Sequence, residues 1–291
     1  MEIFYINNLN DLPELEKNSC AIGNFDGLHL GHRELIEKSK MIDLKTLVIT
    51  FENINKINYL TNVNQKIKLI ENLNVDYLVI FPFNVVRLVF YNEFMDVLKK
   101  LNVKHITCGA DFKFGYQREG DILDLKKKFK LTVLEDFIIN NTRVSSSNIK
   151  ELIKNGFIEE ANNLLIAPYT IVGEVIHGNK LGRTLGFPTA NVDYKNYELP
   201  KNGVYLTITK IKDIDYLSMT NIGLNPTINE QEKTRLEVHI LDFSDEIYGE
   251  EIEVSFIKYL REEKRFNNKK ELINSLEETI NICREYKNML E

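Results

Sequence analysis

The chain is poor in the residues that mark unusual architectures. Its 291 residues include only 14 glycines and 6 prolines, too few for a collagen-like or low-complexity polymer. Cys20, Cys108 and Cys283 are odd in number and widely separated, so they offer neither a disulfide framework nor a zinc-ligand spacing. Each reads as a small buried apolar residue. No uncharged apolar run reaches the roughly 18 residues of a membrane-spanning helix. The N-terminal MEIFYINNLNDLPELEK has acidic and amide residues where a secretory leader has positive charge and then an apolar run. A cytoplasmic protein without a membrane partner is expected. A basic surplus is also missing: 37 basic residues face 43 acidic ones, for a net charge of −6. Residues 1–166 hold 21 basic and 22 acidic residues, and residues 167–291 hold 16 and 21. A nucleic-acid partner is therefore not expected, and any polyanion bound is small and held locally. The run Lys126-Lys127-Lys128 reads as a solvated helix face.

What is present is an ordinary globular composition, 43% hydrophobic and 27% charged, which excludes wholesale disorder. The length favours two packed units. In the first half, the short apolar runs CAIGNF, TLVITF, DYLVIF and VKHITCG alternate with helical spacing near residues 30–40, 64–73 and 92–101. This alternation implies crossovers, hence a parallel α/β sheet of the nucleotide-binding kind, with ligands at the carboxyl ends of the strands. From Tyr169 the runs YTIVGEVI, GVYLTIT, LSMTNIG, RLEVHILDF and EIEVSFIKYL follow one another without helices, which points to a small antiparallel β-barrel. A last helix from Asn268 aligns Leu272, Leu276, Ile280, Cys283 and Met289 on one side. Between the halves, SSSNIKELIKNGFIEEANNLLIAP reads as two short helices broken at Gly156. The boundary is placed near residue 167, giving domains 1–167 and 168–291.

The stretch GNFDGLHLGH, residues 23–32, joins an expected strand to an expected helix. Its glycines allow backbone to approach a ligand closely, and the amides of the following helix form an anion site. His29 and His32 fall within one helical turn, so both rings can donate to the same phosphate chain. The bland alternative is a Gly-rich turn whose histidines cap the helix or sit on the surface. Further on, Phe112 and Phe114 stand among glycines in GADFKFGYQREGD, placed either to stack on a planar ring or to fill a buried plug. In the second half, GEVIHGNKLGRTLGFPTAN runs from 173 to 191. Gly178 and Gly182 let backbone wrap a phosphate and Arg183 adds fixed positive charge. Thr189 and Asn191 present neutral oxygens suited to a hard cation such as magnesium.

These segments carry a resemblance. GNFDGLHLGH resembles the HxGH signature of the nucleotidyltransferases. Ser145-Ser146-Ser147-Asn148-Ile149-Lys150 resembles their later SSTxIR segment, with Lys150 where Arg is usual. GADFKFGYQREGD and GEVIHGNKLGRTLGFPTAN, followed in order by LPKNGVY, NIGLNPT, LEVHILDF, IYGEEIEV and LREEKRF, are similar to the bacterial bifunctional riboflavin kinase and FMN adenylyltransferase family, over nearly the whole chain. The resemblance implies two ATP-dependent reactions, riboflavin to FMN and FMN to FAD, with magnesium. It implies ATP contacts in the first domain from Gly23, Asn24, Phe25, Asp26, Gly27, Ser146, Ser147 and Lys150, with His29 and His32 catalytic. Flavin contacts there fall on Asp111, Phe112 and Phe114. In the second domain it implies ATP contacts from Gly178, Gly182, Arg183, Thr189 and Asn191, magnesium at Thr189 and Asn191, flavin at Arg261, and Glu237 as the catalytic carboxylate. After ITF, where the family commonly has a Glu-Pro-His-Pro-like segment, this chain reads Phe51-Glu52-Asn53-Ile54-Asn55. That departure and Lys150 motivate one rival, a kinase with an impaired adenylyltransferase domain. A second rival is a non-catalytic flavin-binding or flavin-sensing protein. A tRNA-charging enzyme sharing the HxGH signature is opposed by the acidic balance and the barrel.

Overall fold

The computed structural model describes residues 1–41, 43–52, 57–178, 182, 186–224, 234–266 and 268–290. They divide into two compact units, Met1–Asn148 and Ile149–Glu291. In the first, β1 (Glu2–Tyr5), β2 (Asn18–Ile22), β3 (Lys45–Glu52), β4 (Tyr77–Pro82), β5 (Val103–Gly109) and β6 (Lys130–Leu134) form one sheet in the order β1-β4-β3-β2-β5-β6. Every neighbouring pair in it is parallel. The helices of this unit are α1 (Leu30–Ser39), α2 (Val63–Glu71), α3 (Phe83–Val86), α4 (Tyr91–Lys100) and α5 (Ile122–Lys126), and a small hairpin pairs β7 (Ile138–Ile139) with β8 (Thr142–Arg143).

The apolar runs become strands because a parallel sheet is covered on both faces, which selects continuous rather than alternating hydrophobicity. β2 is buried at all its positions, and the middle of β3 and nearly all of β4 are as well. From β2 the chain steps to β3 and β4 on one side, then crosses back past β2 to β5. That reversal opens a crevice at the carboxyl ends of β2, β3 and β5.

The second unit takes most of α6 (Ser146–Lys154), then α7 (Ile158–Leu164), a closed antiparallel barrel, and α8 (Lys269–Leu290). The barrel strands β9 (Thr170–Ile176), β10 (Ala190–Val192), β11 (Gly203–Ile211), β12 (Ile214–Leu224), β13 (Thr234–Ile240) and β14 (Glu251–Arg261) close in the order β10-β13-β12-β11-β14-β9. Gly156, at φ +82°, separates α6 from α7 as its left-handed backbone requires. On α8, Leu276, Ile280 and Cys283 pack with Val204, Leu206 and Met219, while the side chain of Met289 lies outside the described residues.

The architecture is the one read from the sequence, a parallel α/β unit followed by an antiparallel barrel and a terminal helix. The short strands β1, β6 and β10 were not foreseen. The expected boundary near 167 and the packing division after Asn148 differ by the segment holding α6 and α7. α7 is tied to the barrel through Asn162, whose amide donates to Phe256 O at 2.9 Å and whose Oδ1 accepts from Tyr169 N at 2.8 Å. All three cysteines are free and buried, and burial pushes the Cys108 and Cys283 thiols up to about 11. Among the described residues no helix is long and apolar enough to cross a membrane.

The β11–β12 hairpin turns through Lys212 and Asp213, both at positive φ (+47° and +66°) between the paired Ile211 and Ile214. Two-residue loops with positive φ at both positions favour Asn-Gly. Lys212→Asn combined with Asp213→Gly is expected to stabilise the protein by roughly 0.5–1 kcal/mol. The check is a thermal melt, and an unchanged or lower midpoint would count against this turn geometry.

Candidate active sites

In the first unit, the loop between β2 and α1 holds a backbone that side chains rarely adopt: Phe25, Gly27 and Leu28 have φ of +50°, +82° and +39°. Neighbouring chain pins it. Asp26 is buried, and its Oδ1 accepts from Leu60 N at 2.8 Å and Thr61 N at 3.3 Å. Thr61 Oγ1 accepts from Gly27 N at 3.0 Å, and Ser146 Oγ donates to Asp26 O at 2.8 Å. The Phe25 ring is fully buried and meets His32 edge-on at 5.1 Å. Phe25, Asp26 and Ser146 thus brace the loop.

His29 and His32 form a reciprocal cap at the start of α1. His32 N donates to His29 Nδ1 at 3.2 Å, and His29 N donates to His32 Nδ1 at 3.4 Å. The rings stack at 3.5 Å. The capping reading of these histidines is the one the geometry shows: with Nδ1 accepting from the main chain, the ring hydrogen sits on Nε2. Electrostatics favours the same neutral form. Burial pushes His29 down to about 4, with Asp26 opposing and Arg143 adding to the shift. Burial, then His29 and Lys66, hold His32 well below its usual value against the pull of Asp26.

Beside this loop lies a cavity of about 800 Å³ at the carboxyl ends of β2, β3 and β5. Gly23 and Asn24 line it at one side, Phe51 and Phe94 at another, and Asp111, Phe112 and Phe114 at a third. Phe112 and Phe114 stack on each other at 5.8 Å, and Phe114 also packs on Phe94 at 5.7 Å. Phe114 is buried and Phe112 half-buried, so Phe112 offers the open ring face and Phe114 backs it. Asp111 Oδ2 accepts from Arg143 Nη2 at 2.8 Å. Arg87, Lys113 and Arg118 add positive charge to the lining. Ser147 is exposed in the first turn of α6. Lys150 lies one turn further along, and with Lys154 it opposes the rise that burial imposes on the Glu198 carboxyl. Asn53, Ile54 and Asn55 lie outside the described residues.

In the second unit the barrel register assembles the site. Glu237 on β13 pairs directly with Asn191 on β10 and with Asn221 on β12. Directly paired residues share a face with Cβ atoms about 5 Å apart, so three strands present an amide, a carboxylate and an amide in one row. β13 alternates as a strand must. Glu237 and His239 line a cavity of about 310 Å³ with Gly182, Thr189 and Arg261, while Val238 and Ile240 line a second of about 230 Å³. Thr189 borders both. Glu237 keeps 31% of its side chain exposed. Burial raises its pKa and Glu263 adds to the rise, while Arg235, at 3.8 Å, opposes it. Arg261 is held by α8: its Nε donates to Thr279 Oγ1 at 3.2 Å. Gly178 packs so tightly on Asn191 that a Cβ there would collide with its side-chain amide. A Cβ on Gly182 would likewise collide with Phe187 O and would meet Thr189 Oγ1 in ordinary contact. Arg183 lies outside the described residues.

Sequence reasoning missed Asn221, Arg143 and Lys66. Asn221 becomes visible only through strand pairing. Lys66 leaves a signal in the sequence, a charged residue four positions before Ile70 on the stripe that faces the core.

With this geometry in view, comparison with known proteins is decisive. A family model described as FAD synthetase matches residues 11–148, and one described as riboflavin kinase matches residues 165–287. A bifunctional riboflavin kinase/FMN adenylyltransferase of Listeria monocytogenes is 38% identical, covering 88% of each chain. The chain belongs to the bifunctional riboflavin kinase/FMN adenylyltransferase family. The Bacillus subtilis member is 37% identical, covering 91% of this chain and 90% of that one. A solved structure from Streptococcus pneumoniae, described as a macrolide-efflux protein, matches with a TM-score of 0.86 at 28% identity, covering 98% of this chain and 99% of that one. The protein is an enzyme with both activities, an FAD synthetase unit followed by a riboflavin kinase unit.

Gly178→Ala is expected to displace Asn191 and abolish most FMN formation from riboflavin while leaving FAD formation from supplied FMN intact. Assays of the two half-reactions check this, and full kinase activity in the variant would refute the packing.

Proposed function

We propose that each unit carries out its step with the residues it gathers at its own strand ends, and that Glu237 is the general base of the kinase. The observation that carries this reading is the row Asn191, Glu237, Asn221 beside Thr189. The ribityl hydroxyl of riboflavin is neutral and a poor nucleophile, so its proton must leave as its oxygen attacks the γ-phosphate of ATP and the bond to the leaving ADP breaks. Glu237, desolvated on one side, accepts that proton. Arg261 orients the flavin from the same cavity, and Thr189, bordering both cavities, marks the crossing point of the transferring phosphoryl group. Gly178, Gly182 and Arg183 belong to the phosphate loop in this reading.

The donor set also fits a hard cation. Thr189 Oγ1 and the Asn191 amide oxygen are neutral oxygens beside one carboxylate, the kind of set that magnesium accepts together with substrate phosphates. When bound, magnesium neutralises developing charge on the phosphates. Among the described residues no three His, Cys, Asp or Glu gather where they could hold a metal.

In the first unit, the FMN phosphate attacks the α-phosphate of ATP, and the bond to the leaving pyrophosphate breaks. The nucleophile is already an anion, so alignment and positive potential are what the step needs. The Nε2–H groups of His29 and His32, the opening amides of α1 and Ser147 at the start of α6 provide them, while Phe112 stacks on the flavin ring and Asp111 borders it. Three free, buried thiols fit a reducing, cytoplasmic compartment.

Glu237→Gln is expected to lower FMN formation by about 10²- to 10⁴-fold and to spare FAD formation from FMN. Because burial raises the Glu237 pKa, wild-type kinase activity should fall with decreasing pH at a value above the ordinary glutamate range. An acid limb at or below that range would contradict its role. His32→Ala should reduce FAD formation while sparing FMN formation, and equal loss of both would refute separate sites.

A further inference from the structure

Lys66 lies on α2 and is only 6% exposed. A buried ammonium group is costly unless well hydrogen-bonded. Here it serves the main chain: Nζ donates to Asn24 O at 2.7 Å and to Phe51 O at 3.1 Å. Those two carbonyls belong to Asn24, two residues past the end of β2, and to Phe51, the last residue but one of β3, and both residues line the cavity. The chain just before α2 grips the far end of the same loop, through Leu60 and Thr61 on Asp26 and through Thr61 on Gly27. Residues 60–66 thus clasp a loop whose backbone strain at Phe25 and Leu28 persists only if its surroundings over-determine it.

We propose that Lys66 is a positioning residue of the adenylyltransferase site, its ammonium group locking the Asn24 and Phe51 carbonyls so that the strained loop presents His29 and His32 in fixed register with the cavity. This rests on the reading that the two histidines meet the ATP phosphates. The lysine charge has a second consequence. The groups facing His32 are His29, Asp26 and Lys66, and those facing His29 are Asp26 and Arg143. Among them Lys66 opposes protonation of His32. A proton on Nδ1 would break the reciprocal cap, because that atom accepts from the main chain.

The test uses full-length Lys66→Met, Lys66→Gln and Lys66→Arg, assayed for both half-reactions from about pH 9 down to about pH 4, the value to which burial lowers His29. Lys66→Met should lower kcat for FAD formation on the order of 10²-fold with FMN formation unchanged. Its acid limb should move to higher pH, since loss of the cation lets His32 take a proton more readily. Lys66→Gln keeps a donor without charge, so it should retain more kcat yet show the same displaced limb, and Lys66→Arg should restore the wild-type limb. Wild-type kcat in Lys66→Met overturns the proposal. So does an unshifted limb in Lys66→Gln, which would mark a merely structural role, and this comparison stands even if Lys66→Met fails to fold. If His32→Ala forms FAD normally, the reading of the histidines fails instead, whatever the lysine variants do.

Discussion

The register of hydrogen-bonded strands decides where chemistry is possible in both units. In the parallel sheet, β2, β3 and β5 run side by side in one direction, so the loops that follow them converge on one cavity. In the barrel, antiparallel pairing sets Glu237 opposite Asn191 and Asn221, while alternation along β13 sends Val238 and Ile240 to a different cavity. A slip of one residue in β13 would exchange these sets and remove the carboxylate from the site.

In the proposed reading the two steps make different demands, and the units meet them with different residue types. A neutral hydroxyl needs a base, and the barrel supplies a carboxylate whose pKa burial raises. A phosphate nucleophile needs donors and alignment, and the parallel unit supplies two neutral imidazoles, a helix start and lining cations. The same physics produces both settings. Desolvation opposes charge, so it raises the glutamate pKa and lowers those of the histidines, as the proposed roles of base and neutral donors require.

Much of this was legible in the chain. Continuous apolar runs alternating with helical spacing gave the parallel unit, and serial strands gave the barrel. The glycine-rich segments marked both loops because close approach of backbone leaves a compositional trace. Other features were not legible, for identifiable reasons. β10 is three residues long, too short for periodicity to register. Asn221 gains meaning only from its strand partner. The division of labour between Phe112 and Phe114 depends on Phe94, distant in sequence. That Nδ1 of both His29 and His32 serves the cap follows from ring orientation, which spacing alone leaves open.

The central claim is that each unit holds a complete site of its own. It is tested most directly by mixing two full-length variants each impaired in one step, one lacking the Glu237 carboxylate and one lacking the His32 ring, and supplying riboflavin, ATP and magnesium. If the sites are self-contained, FMN made by the second variant is adenylylated by the first, and FAD accumulates in the mixture far faster than with either variant alone. A mixture that accumulates FMN without FAD, or forms neither, would contradict the account.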